Sequence, residues 1–348
     1  MKKKDVRAAP VDSAASGHSV TLIDVARVAG VAPMTVSRVL NRPELVRADT
    51  QKKVLDAVRA TGYVPNLLAG GLASNRSRLV AILVPTIVNS IFADTVQAIM
   101  DGLSRFGYQT LLGLTAYSTQ REEELVEAIL GRRPDGIVLA GTLHSKATVE
   151  RLSKAKLPVV EIWDLTSKPI DMVIGFSHEK VGKEVARHLV GKGYRSFGVV
   201  SVDDPRGLRR LKSLKTELAA LGIAEPAVAV MPAPATLQAG REGAGRLLDA
   251  AKPDVIVCSS DTLAQGVLAE AASRGLRVPA DLAVMGFGDL STAAQVFPAL
   301  STVRIDGAAI GASTAEALLA RFTDAGDAAA AAAVRIDKGF TIVERHSA

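Results

Sequence analysis

Between positions 34 and 41 a helical period would set Met34, Thr35, Ser37, Arg38 and Asn41 on one outward side and turn Val36, Val39 and Leu40 inward. A thioether, two hydroxyls, one guanidinium and one amide recognise base edges and phosphates. Arg38 can fork onto a guanine, Met34 can pack on a thymine methyl, and the hydroxyls position without choosing a sequence. No catalytic constellation competes with this set. His18, His144, His178, His188 and His346 are scattered, and the single Cys258 sits in the apolar run VIVCSS as a buried strand residue would. There is no G-x-x-x-x-G-K-[ST], no dinucleotide fingerprint after a strand and no H-E-x-x-H, so neither an enzyme nor a metal site is expected.

Two short helices joined by a tight turn would hold the reading side chains. Thr21 suits an N-cap, and Asp24 completes a capping box and faces the positive helix end. Leu22, Val25, Ala26 and Ala29 recur at i, i+3, i+4 and i+7, giving one apolar face. Gly30 stops the first helix, and Pro33 opens the second, where its missing N–H would be unpaired anyway. Thr21 to Asn41 is therefore a helix-turn-helix pattern. A third helix is predicted over Ala48–Thr61, with Val54, Leu55 and Val58 on one side and Gly62 as its stop. Tyr63-Val64-Pro65-Asn66 should be extended, since Pro65 disfavours helix at Val64, and the stretch NLLAGGLASNRSR is too short to hold a helix alone in water.

Charge points to the same end of the chain. Residues 1–78 carry 13 Lys/Arg and 6 Asp/Glu, net +7; the totals of 42 and 36 leave 29 and 30, net −1, for residues 79–348. The basicity behind a pI near 9.4 thus belongs to the N-terminal fifth, where a polyanionic partner is expected. The single cysteine excludes an internal disulfide, no apolar run approaches the ~20 residues that span a bilayer, and MKKKDVRAAP precedes no apolar h-region. A cytoplasmic protein is expected.

From Leu79 the pattern changes to apolar β runs alternating with amphipathic helices: VAILVPT, TLLGL, GIVLAG, PVVEIWD and MVIGF, then SFGVVSVDD, AVAVM, DVIVCSSD and LAVMGFGD. Helices are predicted near Ile91–Phe106, Thr119–Arg132, Lys146–Lys154, His178–Gly191, Leu208–Leu221, Leu237–Ala250, Thr262–Arg274 and Gly307–Phe322. A last strand is predicted near Lys338–Val343, beyond the low-complexity run Asp327–Ala333. Repeated βαβ units imply parallel sheets covered by helices, and the number of strands with the recurring Gly175-Phe176 and Gly286-Phe287 implies two doubly wound lobes.

Ligands of such sheets sit beyond the carboxyl ends of the strands, which nominates Thr86–Phe92, Trp163 and Asp164, Phe176, Asp203–Arg210, Ser259–Asp261 and Gly288-Asp289. Arginines beside Asp164 and Asp289 suit a polyhydroxylated acid, because guanidinium forks a carboxylate while Asp accepts from hydroxyls. Arg206 and Arg210 are expected to be the pair, Arg209 to face solvent, and Trp163 to stack on a sugar ring. Asp261 has the alternative of capping the helix that starts at Thr262, and Phe176 that of interlobe core.

VTLIDVARVAGVAPMTVSRVLN, the following GYVPN and the body beginning LVAILVPT resemble, from about Val20 to Val343 and in order, the lactose-repressor (LacI/GalR) family of bacterial transcription regulators. Within it, MTVSRVL, VPTIVNSIFADTV, GYQTLLG, PVVEIWD and CSSDTLAQG are similar to gluconate-operon repressors. The resemblance implies an all-α helix-turn-helix headpiece plus an α/β body of two doubly wound parallel-sheet lobes of the periplasmic-binding-protein type. It implies an arm over 1–18, disordered in this reading, a headpiece over 19–63, a hinge over 64–77 and a body over 78–348. The N-lobe would be about 78–177 and 305–334, and the C-lobe about 178–304 and 335–348.

By the same resemblance two headpieces read a near-palindromic double-stranded DNA operator, and a sugar or sugar acid, gluconate-like, binds in the cleft as effector, with no cofactor and no membrane. A homodimer or tetramer is implied, and the lack of a leucine-heptad tail after Val343 favours the dimer. Position by position, Pro33, Met34 and Arg38 take the base-reading role, while Thr21, Thr35, Ser37, Asn41, Tyr63 and Asn66 touch phosphates or adjoining bases. Leu72 takes the place of a minor-groove wedge. The effector contacts fall on Ser90, Phe92, Asp164, Phe176, Arg210, Ser260 and Gly288-Asp289. The chain departs from the family at Gly70-Gly71, where each Gly costs a helix about 1 kcal/mol relative to Ala, so operator binding is expected to supply the ordering energy of the hinge. A transport-type sugar-binding protein would share the body but need an export signal and lack the basic headpiece.

Overall fold

The computed structural model describes residues 20–64, 76–87, 90–323 and 334–348, and the chain divides into two units, Met1–Asn75 and Arg76–Ala348. The arm 1–18, Asn66, Leu72, the Gly70-Gly71 pair and the run Asp327–Ala333 lie outside the described residues.

In the first unit, α1 (Leu22–Ala29), α2 (Pro33–Asn41) and α3 (Ala48–Thr61) follow one another. The capping box forms: the Thr21 hydroxyl accepts from the Asp24 N–H, and the Asp24 carboxylate accepts from the Thr21 N–H at 3.0 Å. Gly30 and Gly62 end α1 and α3 at φ 67° and 64°, a left-handed conformation that a Cβ disfavours. Val25, Ala26, Val36, Val39, Val54 and Ala57 form the core, with Leu22, Leu40, Val58 and Tyr63 packed on it. Leu55, expected inside, is exposed, because one residue is a 100° turn of the helix and Ala57, at i+3 from Val54, shares the buried side instead.

The second unit holds two parallel sheets. In the first, β1 (Leu79–Val84), β2 (Gln109–Leu114), β3 (Gly136–Ala140), β4 (Val159–Ile162), β5 (Met172–Gly175) and β11 (Val334–Asp337) run in the order β11-β5-β4-β3-β1-β2. In the second, β6 (Phe197–Val202), β7 (Ala227–Met231), β8 (Val255–Cys258) and β9 (Ala283–Met285) run β7-β6-β8-β9. β10 (Thr302–Arg304) pairs antiparallel with β12 (Thr341–Val343). Helices α4 (Ala93–Ser104), α5 (Thr119–Leu130), α6 (Lys146–Ala155) and α11 (Gly307–Thr323) accompany the first sheet; α7 (His178–Gly191), α8 (Pro205–Ala220), α9 (Leu237–Ala250) and α10 (Asp261–Ser273) accompany the second. The chain passes between lobes after β5, after β10 and after β11. One apolar core runs through the crossings, joining Val80 and Ile162 to Val199 and Val255 by way of Trp163, Phe176 and Phe287.

Three boundaries differ from the sequence expectation. The predicted strand 338–343 is shortened to Thr341–Val343, which joins β10, and a strand not predicted, Val334–Asp337, precedes it and pairs with β5, so the N-lobe extends to Asp337 and not 334. Helix α8 starts at Pro205 and not at Leu208, since Asp204 caps it by accepting from the N–H groups of Arg206 and Gly207, both at 3.0 Å. Arg76 and Ser77, assigned to the hinge, belong to the body: Arg76 donates to the Phe322 carbonyl at 2.6 Å, and Ser77 N–H to Asp135 at 2.9 Å.

Candidate functional site

On α2, Pro33 occupies the first helical position, Met34 is 66% exposed, Arg38 and Asn41 are exposed, and Thr35 and Ser37 are half-buried. The helix carries no acid, and its first-turn N–H groups have no side-chain cap, as Ala32 precedes Pro33. Positive helix end, guanidinium and hydroxyls therefore share one unneutralised face. Asn41 donates to the Ser37 carbonyl at 2.9 Å, and the Thr21 hydroxyl donates to Asp24 at 2.6 Å, so these two already have partners. Tyr63 packs half-buried against the core, and Lys52 and Lys53 stand exposed on α3.

In the body, a cavity of about 70 Å³ opens where the carboxyl ends of β1 to β4 meet the first turn of α8. Thr115, Tyr117, Glu122, Thr142 and Asp164 line it from the N-lobe, Pro205 and Arg206 from the C-lobe. Of the side chains nominated from sequence as effector contacts, Asp164 and Arg206 thus reach it.

Asp164 is positioned by an unusual backbone. Trp163, before it, has φ 63°, an outlier for a bulky residue, and is held there by three bonds. Its N–H donates to the Ile174 carbonyl at 3.2 Å, its Nε1 to Thr95 Oγ1 at 2.9 Å, and its carbonyl accepts from His178 Nε2 at 3.0 Å. Gly175 lies beneath, where a Cβ would come within 2.4 Å of the Asp164 carbonyl oxygen. Asp164 itself is 1% exposed and accepts from the Leu165 N–H, from Thr142 and from Arg209 of the other lobe at 2.8 Å. Burial pushes its pKa up against the opposing pull of Arg209. Arg209, expected in solvent, is the guanidinium that meets Asp164, while its Nε lies 3.5 Å from Glu179.

The expected arginine pair divides. Arg206 stacks over Phe92, 5.2 Å to the ring centroid, and approaches Asp204 at 3.9 Å; its Nη1 is buried and has no hydrogen-bond partner among the described residues. Arg210 is engaged within the C-lobe: it donates to His178 Nδ1 and to the Ser259 carbonyl, both at 2.9 Å, and covers Phe287 at 3.8 Å. Burial lowers its pKa to about 10, and burial followed by the Arg210 charge holds His178 well below its ordinary value.

Most of the remaining nominations have structural partners. Trp163, 3% exposed, is core beside Phe92 and Phe176, so it presents no ring face to a sugar. Phe176, 0% exposed, is interlobe core. Ser260, not Asp261, caps α10; Asp261 is the first helical residue, buried, accepting from Thr302 Oγ1 at 2.5 Å and the Leu290 N–H at 2.7 Å, and burial pushes its pKa up to about 6. Asp289 pairs with Arg304 at 2.6 Å and Arg345 at 2.7 Å, and Ser90 is exposed in a short turn before α4.

Sequence reasoning passed over His144. Its ring is buried, with Nδ1 2.6 Å from Glu122 and Nε2 3.4 Å from Glu161. Burial opposes the charged ring, but the bond with Glu122 and the nearness of both carboxylates outweigh it and raise the pKa to about 9. A histidine followed by Ser-Lys at a strand end gives no local signal of two acids arriving from α5 and β4. Among the described residues, no group of three or more His, Cys, Asp or Glu is arranged to hold a metal ion.

The chain matches the family model of bacterial regulatory proteins, lacI family, over residues 21–66, and that of a periplasmic binding protein-like domain over residues 186–348. It is 36% identical to the HTH-type transcriptional regulator GntR of Pseudomonas aeruginosa, covering 94% of this chain and 95% of that one. With the regulator of the same name from Escherichia coli it shares 30% identity, over 86% and 91%. The structure superposes on a LacI-family transcriptional regulator from Silicibacter pomeroyi with a TM-score of 0.87 at 32% identity, covering 94% and 99%. It matches the lac repressor dimer bound to operator and anti-inducer with a TM-score of 0.79, over 95% and 99%; at 24% identity that likeness speaks for the fold.

Proposed function

The chain belongs to the lacI family of bacterial regulatory proteins, and from that premise we propose that it is a homodimeric repressor whose hold on a near-palindromic operator is set by a gluconate-like sugar acid bound between its lobes. That it is a DNA-binding transcription regulator, not an enzyme, follows from its family. The effector class is the step beyond.

One observation carries it: the buried, unpartnered Nη1 of Arg206 at the interlobe cavity. A buried donor without an acceptor costs about 1–3 kcal/mol, and a ligand carboxylate would supply the acceptor. Thr115, Tyr117 and Thr142 around it suit a hydroxylated chain. Because both lobes line the cavity, a ligand there interacts differently with closed and open lobe arrangements, and that difference, usually 1–3 kcal/mol, is what shifts the population bound to DNA. The exposed Phe297 and Leu237 on the C-lobe and Met100 and Leu112 on the N-lobe are apolar surface that a second copy would cover. We assign the protein to the bacterial cytoplasm, its operator the partner.

The test is to select duplexes from a random pool with the full chain, then measure binding to the winner with and without D-gluconate. A near-palindromic winner whose affinity shifts about fivefold or more with gluconate is expected; an affinity indifferent to every sugar acid tried would overturn the effector reading.

A further inference from the structure

Behind the cavity wall lies a titratable group that the effector reading leaves unused. His144 follows β3, Glu161 lies on β4 and Glu122 on α5. Glu161 is anchored from its far side, accepting from the Ile170 N–H at 2.7 Å, and the His144 Nε2 beside it is buried without a hydrogen bond. Side-chain exposure is 2% for His144, 2% for Glu161 and 8% for Glu122. Withdrawing three ionisable groups from water costs several kcal/mol each before their mutual attraction is counted, and an apolar wall would avoid it. Only Glu122 of the three reaches the cavity.

The charges around the cavity are unequal in kind. Arg209 neutralises Asp164, and His144 balances one of its two carboxylates. That leaves Arg206 with an unpartnered donor and, on the other wall, two carboxylates sharing one imidazole, of which Glu122, bound to His144 Nδ1 through Oε1, is the member that reaches the cavity. A carboxylate in such a wall accepts from hydroxyls and opposes a second anion.

We propose that Glu122, oriented by His144 and Glu161, is a specificity-determining carboxylate of the effector cavity, accepting from the hydroxyls of a ligand whose single carboxylate lies at Arg206 and excluding acids with an anionic group at both ends. The proposal rests on the effector reading above and names the subclass: monoanionic polyhydroxy acids, not aldarates or phosphorylated sugar acids.

Calorimetric titration of the full chain with D-gluconate, D-glucarate and 6-phosphogluconate tests it. The unmodified chain is expected to prefer gluconate by on the order of tenfold or more. In Glu122→Gln gluconate should weaken while the two dianions gain, collapsing that ratio; His144→Gln should move the ratio the same way by less. A purely structural role would lower the melting temperature and leave the ratio alone. Equal affinity of the unmodified chain for gluconate and the dianions overturns the proposal without any variant, as does an unchanged ratio in a folded Glu122→Gln. Binding of none of the three overturns the effector reading and this proposal with it; binding without discrimination overturns this proposal alone.

Discussion

The reading face of α2 and the interlobe cavity use the same chemistry in opposite states. On α2, Met34 and Arg38 stand in water, with no acid on the helix. Between the lobes, Asp164, Arg209, Arg210 and His178 are each bonded to protein partners, whereas Arg206 Nη1 at the cavity and His144 Nε2 behind its wall are not, among the described residues. A surface that reads a macromolecule lets solvent satisfy its groups until the partner arrives. A sensor that buries its groups must satisfy them within the fold, since an unpaired buried polar group is expensive. In the second case the informative groups are those left unpaired.

Arg209 is where the buried network has most to lose. Replacing it by Leu leaves Asp164 buried without its cation, and urea unfolding of the full chain should show a loss of about 3 kcal/mol, partly restored by adding Asp164→Asn. No loss would mean that the cleft pairs are no stronger than surface ones.

His144 makes stability depend on pH. Its folded pKa of about 9 lies above the ordinary 6.5, so its contribution is fully present below pH 6.5 and is lost as pH rises through 9. Unfolding free energy should fall by a few kcal/mol across that window, one unit being worth about 1.4 kcal/mol, and His144→Gln should flatten the slope. An unchanged slope would remove the buried charge from the account.

On α2 the expected effects are smaller and concern discrimination. Arg38→Ala should cost about 1–3 kcal/mol at one base pair of each half-site, measured by titrating operator variants; equal losses on every sequence would reduce Arg38 to a phosphate contact. Lys52→Ala should do what Arg38→Ala must not: weaken all duplexes alike by less than about 1 kcal/mol and lower the salt slope by about one.

The headpiece was legible because its signals are local. Thr21 with Asp24, Gly30, Pro33 and Gly62 each act within a few residues, so composition and spacing fix the helices; Leu55 was misplaced only because Val54, Leu55 and Val58 offer two overlapping apolar stripes and the partner helix chooses between them. The alternating βα grammar of the body was equally readable, down to the carboxyl-end rule that put Asp164 and Arg206 at the cavity. The strand Val334–Asp337 was missed and the last one drawn too long because their partners, β5 and β10, lie far off in the sequence and in different sheets.

Sequence alone therefore determined the reading head, the basic charge that accompanies it and the two-lobed framework, since all of these depend on periodicity, caps and charge counted along the chain. Tertiary structure decided which buried groups are partners and which are free. Arg209, not Arg210, meets Asp164, Asp289 is held by Arg304 and Arg345, and His144 is charged between Glu122 and Glu161. Such pairings are set by which elements the sheets bring side by side, and Coulomb and hydrogen-bond energies fall off over a few ångströms that sequence separation does not measure.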